Sequence, residues 1–262
     1  MRPLSELPTE DARALRGVFC DIDDTLTHAG RLVPDAFLAL ARLQAAGLRV
    51  VPITGRPGGW VDHFARMWPV DGVVGENGGL WFFHRDGKLH RRFSQSPEQR
   101  AANRARLAAL GEHILQEVPG TALASDQPYR DLDLAIDFCE DVPALGEADV
   151  DRIVACFEEA GATCKVSSIH VNGWFGTFDK LEGCRHLLRE VFDEDLDEVR
   201  SAYAFFGDSA NDEPMFGFFP LSVGVANVRH FLHRMQAHPR WVTEGEGGHG
   251  FAEGIDAILA RR

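Results

Sequence analysis

The feature that most constrains this chain is a repeated junction, in which a short apolar run breaks straight into acids or glycines. Val18-Phe19-Cys20 ends in Asp21-Ile22-Asp23-Asp24, the run over 48–53 ends in Thr54-Gly55-Arg56-Pro57-Gly58-Gly59, and Ala204-Phe205-Phe206 ends in Gly207-Asp208. A buried strand followed by a polar loop reads this way. Between the runs lie helical stretches, one opening at Pro34 and stopping at Gly47 and another over 60–68, before a further strand within 71–79. Strand and helix alternating at this spacing predict a parallel sheet with helices on both faces.

The rhythm changes after about residue 80. A hairpin turning at Asp86-Gly87, a long helix over 97–117, a strand in 132–138, a helix around 147–161 and a strand in 162–171 follow. From Lys180 the parallel rhythm returns: helix, strand 202–209, short helix, strand 221–226, another helix, a strand at 240–243 and a terminal helix from Phe251. The expected fold is therefore α/β, a Rossmann-like parallel-sheet core built from 1–80 and 179–262 and interrupted by an inserted α+β domain over 81–178.

Ligands of open parallel sheets bind outside the carboxyl ends of the strands, so the junction residues can converge although far apart in sequence. Asp21, Asp23 and Asp24 repel one another unless something positive sits among them, and Mg²⁺ is commonly held by one or two carboxylates plus substrate phosphate. Asp21 and Asp23 could act together, one attacking phosphorus and the other handling the leaving-group proton. The plainer reading is a solvated acidic turn or a helix cap, and Asp24 fits that role. Asp208 and Asp212 would add carboxylates to the same site, or simply favour a helix N-terminus. Thr54, Gly55 and Arg56 offer a hydroxyl and backbone N–H groups at a strand end, which suit a phosphate oxygen. Lys180 opposes the dipole at a helix start, which hints at a task such as neutralising phosphate.

Bulk properties set the limits. A formal charge of −13 over 262 residues argues against nucleic acid and against an anionic membrane surface. No segment approaches the roughly 20 apolar residues that span a bilayer, and the first residues lack the apolar core of a secretory signal. Five widely spaced cysteines give neither a zinc ribbon nor a disulfide framework. The expected setting is a reducing cytoplasm, and the expected partner a small molecule.

In their order, D-x-D-x-T at Asp21, the strand-ending Thr54, Lys180, and G-D-x-x-x-D at Gly207-Asp208…Asp212 resemble the haloacid dehalogenase-like phosphatase superfamily. The inserted domain lies between the Thr and Lys motifs, where type-two caps sit. The forms Gly207-Asp208-Ser209-Ala210-Asn211-Asp212 and Gly75-Glu76-Asn77-Gly78-Gly79 look like subfamily IIB, the Cof-type group that includes sucrose-phosphate, trehalose-phosphate and mannosylphosphoglycerate phosphatases. The resemblance implies Asp21 as a nucleophile forming an aspartyl-phosphate and Asp23 as general acid and then base. It implies Thr54 and Lys180 on the phosphoryl group, and Mg²⁺ held by Asp21, the Asp23 carbonyl and Asp208, with Asp212 and Asn211 in support. Gly55, Arg56, Glu76 and Asn77 join the expected phosphate and substrate contacts. The implied activity is Mg²⁺-dependent hydrolysis of a small phosphorylated metabolite, a sugar phosphate foremost. The alternatives are a phosphomutase of the phosphomannomutase type and a non-catalytic sugar-phosphate-binding module.

Specificity should come from the inserted domain. His170 and Asn172 alternate with apolar neighbours, so both project from one strand face, and they are the expected substrate contacts there. Arg85, Lys88, Arg91, Arg92, Arg100, Arg104 and Arg106 stand against only Asp86 and Glu98. This excess would receive a second anionic group, or else form a solvated face. The glycine-rich loop over 245–250 matches no phosphate-loop spacing, and the acidic run 193–198 reads as a solvated connection opposite the site.

Overall fold

The computed structural model describes residues 1–167 and 169–262. Its larger sheet has nine strands in the order Arg2–Pro3, Trp241–Val242, Leu221–Gly224, Tyr203–Gly207, Gly17–Asp21, Arg49–Ile53, Val73–Gly75, Leu80–Arg85 and Lys88–Phe93. The first seven pair in parallel and the last two antiparallel. Gly17–Asp21 lies at the centre, with Arg49–Ile53 on one side and Tyr203–Gly207 on the other. The direction of winding reverses at this strand, which is where open parallel sheets leave a crevice.

Side-chain alternation sorts the strands into two cores. Val18, Cys20, Val50, Ala204 and Phe206 bury into one layer with the helices Pro34–Ala45 and Gly247–Leu259. Phe19, Val51, Tyr203 and Phe205 bury into the other, against Leu187 and Leu188 of the helix Lys180–Phe192. Both faces are covered, which is why these strands read as continuous apolar runs rather than alternating ones.

The inserted sheet has four antiparallel strands in the order Thr163–Val166, His170–Trp174, Asp133–Asp137 and Ala122–Leu123. The helices Pro97–Glu117 and Glu147–Glu159 cover one face, where Leu107, Ile114, Ile153 and Phe157 bury against Leu134, Ile136 and Val171. Gly173 is required there, because a Cβ would lie 2.1 Å from the Phe157 ring. The alternate residues Asp133, His170 and Asn172 are buried as well but belong to no apolar cluster.

Four expectations are corrected. The hairpin after residue 80 joins the larger sheet, Leu80–Arg85 pairing with Val73–Gly75, because Phe82 and Phe83 each feed one of its cores. The stretch 162–171 is not one strand: Thr163–Val166 and His170–Trp174 form an antiparallel pair, and Ser168 lies outside the described residues. The helix expected after Gly224 is two 3₁₀ turns, Ala226–His230 and Leu232–Arg234. The last helix opens at Gly247 rather than Phe251, since Gly248 packs where a Cβ would meet Leu26 O at 2.4 Å.

Candidate active site

Asp21 closes the central strand, Asp208 follows its neighbour Tyr203–Gly207, and Lys180 opens the helix Lys180–Phe192 above them. Lys180 Nζ donates to Asp21 Oδ1 at 2.9 Å and to Asp212 Oδ1 at 2.8 Å. Asp212 Oδ2 accepts from the Asp208 amide at 3.1 Å, and the Thr25 hydroxyl donates to Asp208 Oδ1 at 3.1 Å. Both oxygens of Asp212 are thus engaged, and this fully buried residue supports the site from beneath.

Carboxylate oxygens of Asp21, Asp208 and Asp212 lie within 4.8 Å of one another, all buried. Burial raises the Asp21 carboxyl to about 8; Lys180 opposes that rise, while Asp212 and Asp23 add to it. Burial, then Asp212 and Asp21, push Asp208 well above its ordinary value. Burial alone would lower Lys180, but Asp21 and Asp212 outweigh it and hold the ammonium above its usual range. Three buried carboxylates with a single lysine among them carry an excess of negative charge that a divalent cation would relieve. An all-oxygen donor set suits Mg²⁺, so the residues present fit that ion.

A crevice opens at these strand ends. Asp21, Asp23, Gly55, Arg56, Asn77, Lys180, Asp208 and Asn211 form its wall on the larger-sheet side. His170 and Asn172 meet them from the inserted sheet, so the strand-face expectation for this pair agrees with where they lie. Asn77 is held in a left-handed turn, φ 55°. Its Nδ2 and the Nε2 of His170 are buried without a hydrogen-bond partner among the described residues. His170 Nε2 does sit 2.9 Å from Glu140 Oε2, close enough to pair but poorly aligned for a hydrogen bond.

Arg56 spans the two units. Its Nε and Nη2 donate to Asp23 Oδ1 at 3.1 and 3.0 Å, and it reaches Glu140 at 3.4 Å and Asp126 at 3.6 Å in the inserted domain. Arg130 returns the link: it donates to Gly55 O at 2.9 Å and pairs with Asp126 and Asp133, each at 3.0 Å. Asn172 Nδ2 donates to Asp133 Oδ2 at 3.0 Å, which fixes its amide at the wall.

Two expected ligands are placed elsewhere. Glu76 is fully buried off the crevice, and its oxygens accept the amides of Gly58, Asp131 and Leu132 at 2.6–2.9 Å. It is a clamp between the two units, because a buried carboxylate needs this many donors. Thr54 is also fully buried behind the wall, where its Oγ1 accepts the Arg56 amide at 2.9 Å and shapes the Gly55-Arg56 turn. The arginine-rich stretch does not open on the crevice: Arg91 pairs with Asp62, Arg92 with Glu190 and Arg104 with Asp131. His249, which has no obvious partner in the sequence, lies 3.2 Å from Asp35. Glu194 of the acidic run takes Arg49 and Tyr203 at the amino ends of the strands, opposite the site as expected.

Sequence reasoning missed Arg130, Lys165, Ser167, Ile169 and Ser209 on the wall. Lys165, Ser167 and Ile169 share the two-residue period that identifies His170 and Asn172, but that period breaks at the turn. Arg130 carries no periodic signal at all, because it sits in a 3₁₀ exit just before Asp133–Asp137.

The family model of haloacid dehalogenase-like hydrolases matches residues 18–103. Solved structures share the fold along nearly the whole chain. A Thermoplasma acidophilum protein is 20% identical over 94% of this chain and 98% of its own, with a TM-score of 0.71. A phosphatase of the haloalkanoate superfamily from Bacteroides thetaiotaomicron is 17% identical over 94% and 95%, with a TM-score of 0.60. A sugar phosphatase of HAD subclass IIB is 15% identical over 95% and 100%, with a TM-score of 0.63. No curated protein matches. Among the described residues no helix is long and apolar enough to cross a membrane. With its ordered motifs meeting in one crevice of this fold, the chain is similar to the haloacid dehalogenase-like hydrolases, whose family model matches it over residues 18–103.

Proposed function

We propose that the protein is a Mg²⁺-dependent phosphatase that hydrolyses a small phosphorylated metabolite, a sugar phosphate, through an aspartyl-phosphate on Asp21. The observation that carries this reading is the meeting of Asp21 and Asp208, at adjacent strand ends, with Lys180 at the start of a helix. The likeness to structures described as phosphatases, one of them a sugar phosphatase, supports it.

In the first displacement an Asp21 oxygen bonds to phosphorus as the bond to the leaving oxygen breaks, and Asp23 gives that oxygen a proton. In the second, Asp23 takes a proton from water as the water oxygen attacks phosphorus and releases Asp21. Splitting hydrolysis this way replaces one hard step with two easier ones. Lys180 neutralises the attacking carboxylate and the phosphoryl oxygens, since phosphoryl transfer depends chiefly on positioning and charge. Asp21, the Asp23 carbonyl and Asp208 would hold Mg²⁺, which when bound supplies further neutralisation of the phosphoryl oxygens. The unit over about 94–178 would act as a cap, with His170 and Asn172 on the leaving group and Arg56 holding Asp23 until substrate arrives. Asn77 and Asn211 would donate to the substrate near phosphorus.

The test is phosphate release from a panel of phosphorylated metabolites with Mg²⁺ and then with EDTA. Mg²⁺-dependent release, abolished in Asp21→Asn, supports the reading. Unchanged turnover in that variant would sink the mechanism, and isomer formation without net phosphate would make the protein a mutase.

A further inference from the structure

Glu140 is not among the residues of the crevice wall, yet its two carboxylate oxygens are divided between groups on opposite sides of it. Oε1 accepts from Arg56 Nη1 and Nη2 at 3.4 Å, and Oε2 lies 2.9 Å from His170 Nε2. The loop geometry brings Glu140 there. Asp137 ends its strand directly opposite His170 and accepts the amides of Cys139, Glu140 and Asp141 at 2.7–2.9 Å. On the other side, Arg56 is what fixes Asp23. Among the described residues it alone bonds the Asp23 carboxylate, giving Oδ1 two donors at 3.1 and 3.0 Å and Oδ2 one at 3.2 Å. The Asp23 side chain is 33% exposed, so little packing would hold it otherwise. The guanidinium is itself held: it stacks on Trp60 at 4.8 Å, with Glu140 at 3.4 Å and Asp126 at 3.6 Å. His170 and, against the opposing effect of burial, Arg56 keep the Glu140 carboxyl below its ordinary value, so it stands charged between them.

From this division we infer that Glu140 is a positioning residue: through Arg56 it fixes Asp23 at a set distance from His170. The inference rests on the phosphatase reading and deepens it. The acid on one wall and the leaving-group contact on the other must meet the same substrate oxygen. A misplacement of about 1 Å at such a point can cost on the order of 10²-fold in rate. One carboxylate engaged with both sides keeps them in register before substrate arrives, without touching the substrate. Stability does not account for the contact: the Glu140 side chain is 31% exposed, and ion pairs open to solvent contribute little to it.

Two aryl phosphates with the same ring test it. Phenyl phosphate releases a basic oxygen that needs the Asp23 proton, whereas p-nitrophenyl phosphate releases a stabilised anion that needs little help. With Mg²⁺, Glu140→Ala is expected to lower kcat/KM about tenfold or more on phenyl phosphate and less than about threefold on p-nitrophenyl phosphate. Glu140→Gln, whose amide oxygen can still accept from Arg56, is expected to recover part of that loss. Arg56→Gln is expected to show the same dependence on the leaving group. Adding Glu140→Ala to it should cost little more, because both changes act on one chain of contacts. Retained p-nitrophenyl phosphate hydrolysis shows that each variant is folded. No loss on phenyl phosphate, equal losses on both substrates, or losses that multiply in the double variant would overturn the positioning role. If the unaltered protein hydrolyses neither aryl phosphate nor any member of the metabolite panel, the phosphatase reading fails and the role of Glu140 fails with it.

Discussion

Lys180 Nζ lies 2.9 Å from Asp21 Oδ1, joining residues 159 positions apart in the chain. The contact forms because the central strand ends at Asp21 just where the helix Lys180–Phe192 begins. It puts the one buried ammonium beside the proposed nucleophile and ties it to Asp212 as well.

Replacing that ammonium tests its role. Lys180→Met keeps the length of the side chain and removes its charge, and phosphate release is expected to fall about 10²–10³-fold, the usual loss when one preorganised charge partner is removed from a transition state. Steady-state kinetics on the best substrate would read it, and a change of less than a few-fold would deny Lys180 that part.

Relief of the crowded carboxylates should appear as ligand-linked stability. Binding to the native state alone raises stability by about 2.7 kcal/mol at a hundredfold excess over Kd. Thermal unfolding with Mg²⁺ against EDTA is expected to show a higher Tm with the metal, and Asp208→Asn to lose most of that shift. An equal shift in the variant would place the ion elsewhere.

Glu194 should set part of the acid limit of stability. Burial alone would raise its carboxyl, but hydrogen bonds from Arg49 and Tyr203 outweigh this and hold it below its ordinary 4.5. A group depressed in the folded state contributes stability that is present above its unfolded pKa and lost as pH falls through the folded one. Glu194→Gln is therefore expected to lower stability by about 1–3 kcal/mol at neutral pH and to flatten the loss below pH ~4.5. Denaturant unfolding across that range would show it, and parallel profiles for the two proteins would contradict it.

Two glycines with positive φ make a matched comparison. A Cβ on Gly78, at φ +100°, would lie 1.8 Å from Asp179 O, whereas Gly87, at φ +73°, has nothing within 4 Å. Gly87→Ala should cost about 1 kcal/mol with activity intact. Gly78→Ala must push back the segment that carries Lys180, so both stability and kcat should drop. Equal effects of the two on kcat would show that the Gly78 turn does not position the lysine.

Much of the core was legible because it rests on one-dimensional signals. The junctions at Asp21, Thr54 and Asp208 mark strand ends by the switch from apolar to polar, and the doubly covered sheet makes those runs continuous. His170 and Asn172 were found by their period of two. Hidden parts depended on partners distant in the chain. Nothing local to Glu76 says that its carboxylate will collect amides from Gly58 and 131–132, so a residue in a substrate-like motif proved to be a clamp. The 80–93 hairpin has the same local pattern whichever sheet it joins; only Phe82 and Phe83, each needing a different core, decide it. Arg56 reads as a loop arginine, and its hold on Asp23, Glu140 and Asp126 exists only when both units are in place.

The central claim is that Asp21 becomes phosphorylated during turnover, and the most direct measurement is rapid acid quench of the protein with Mg²⁺ and its best substrate, followed by peptide mass spectrometry. The account predicts a hydroxylamine-labile phosphoryl group on the peptide containing Asp21, absent in Asp21→Asn along with phosphate release. Full turnover by Asp21→Asn, or rapid turnover with the label on a different residue, would contradict it.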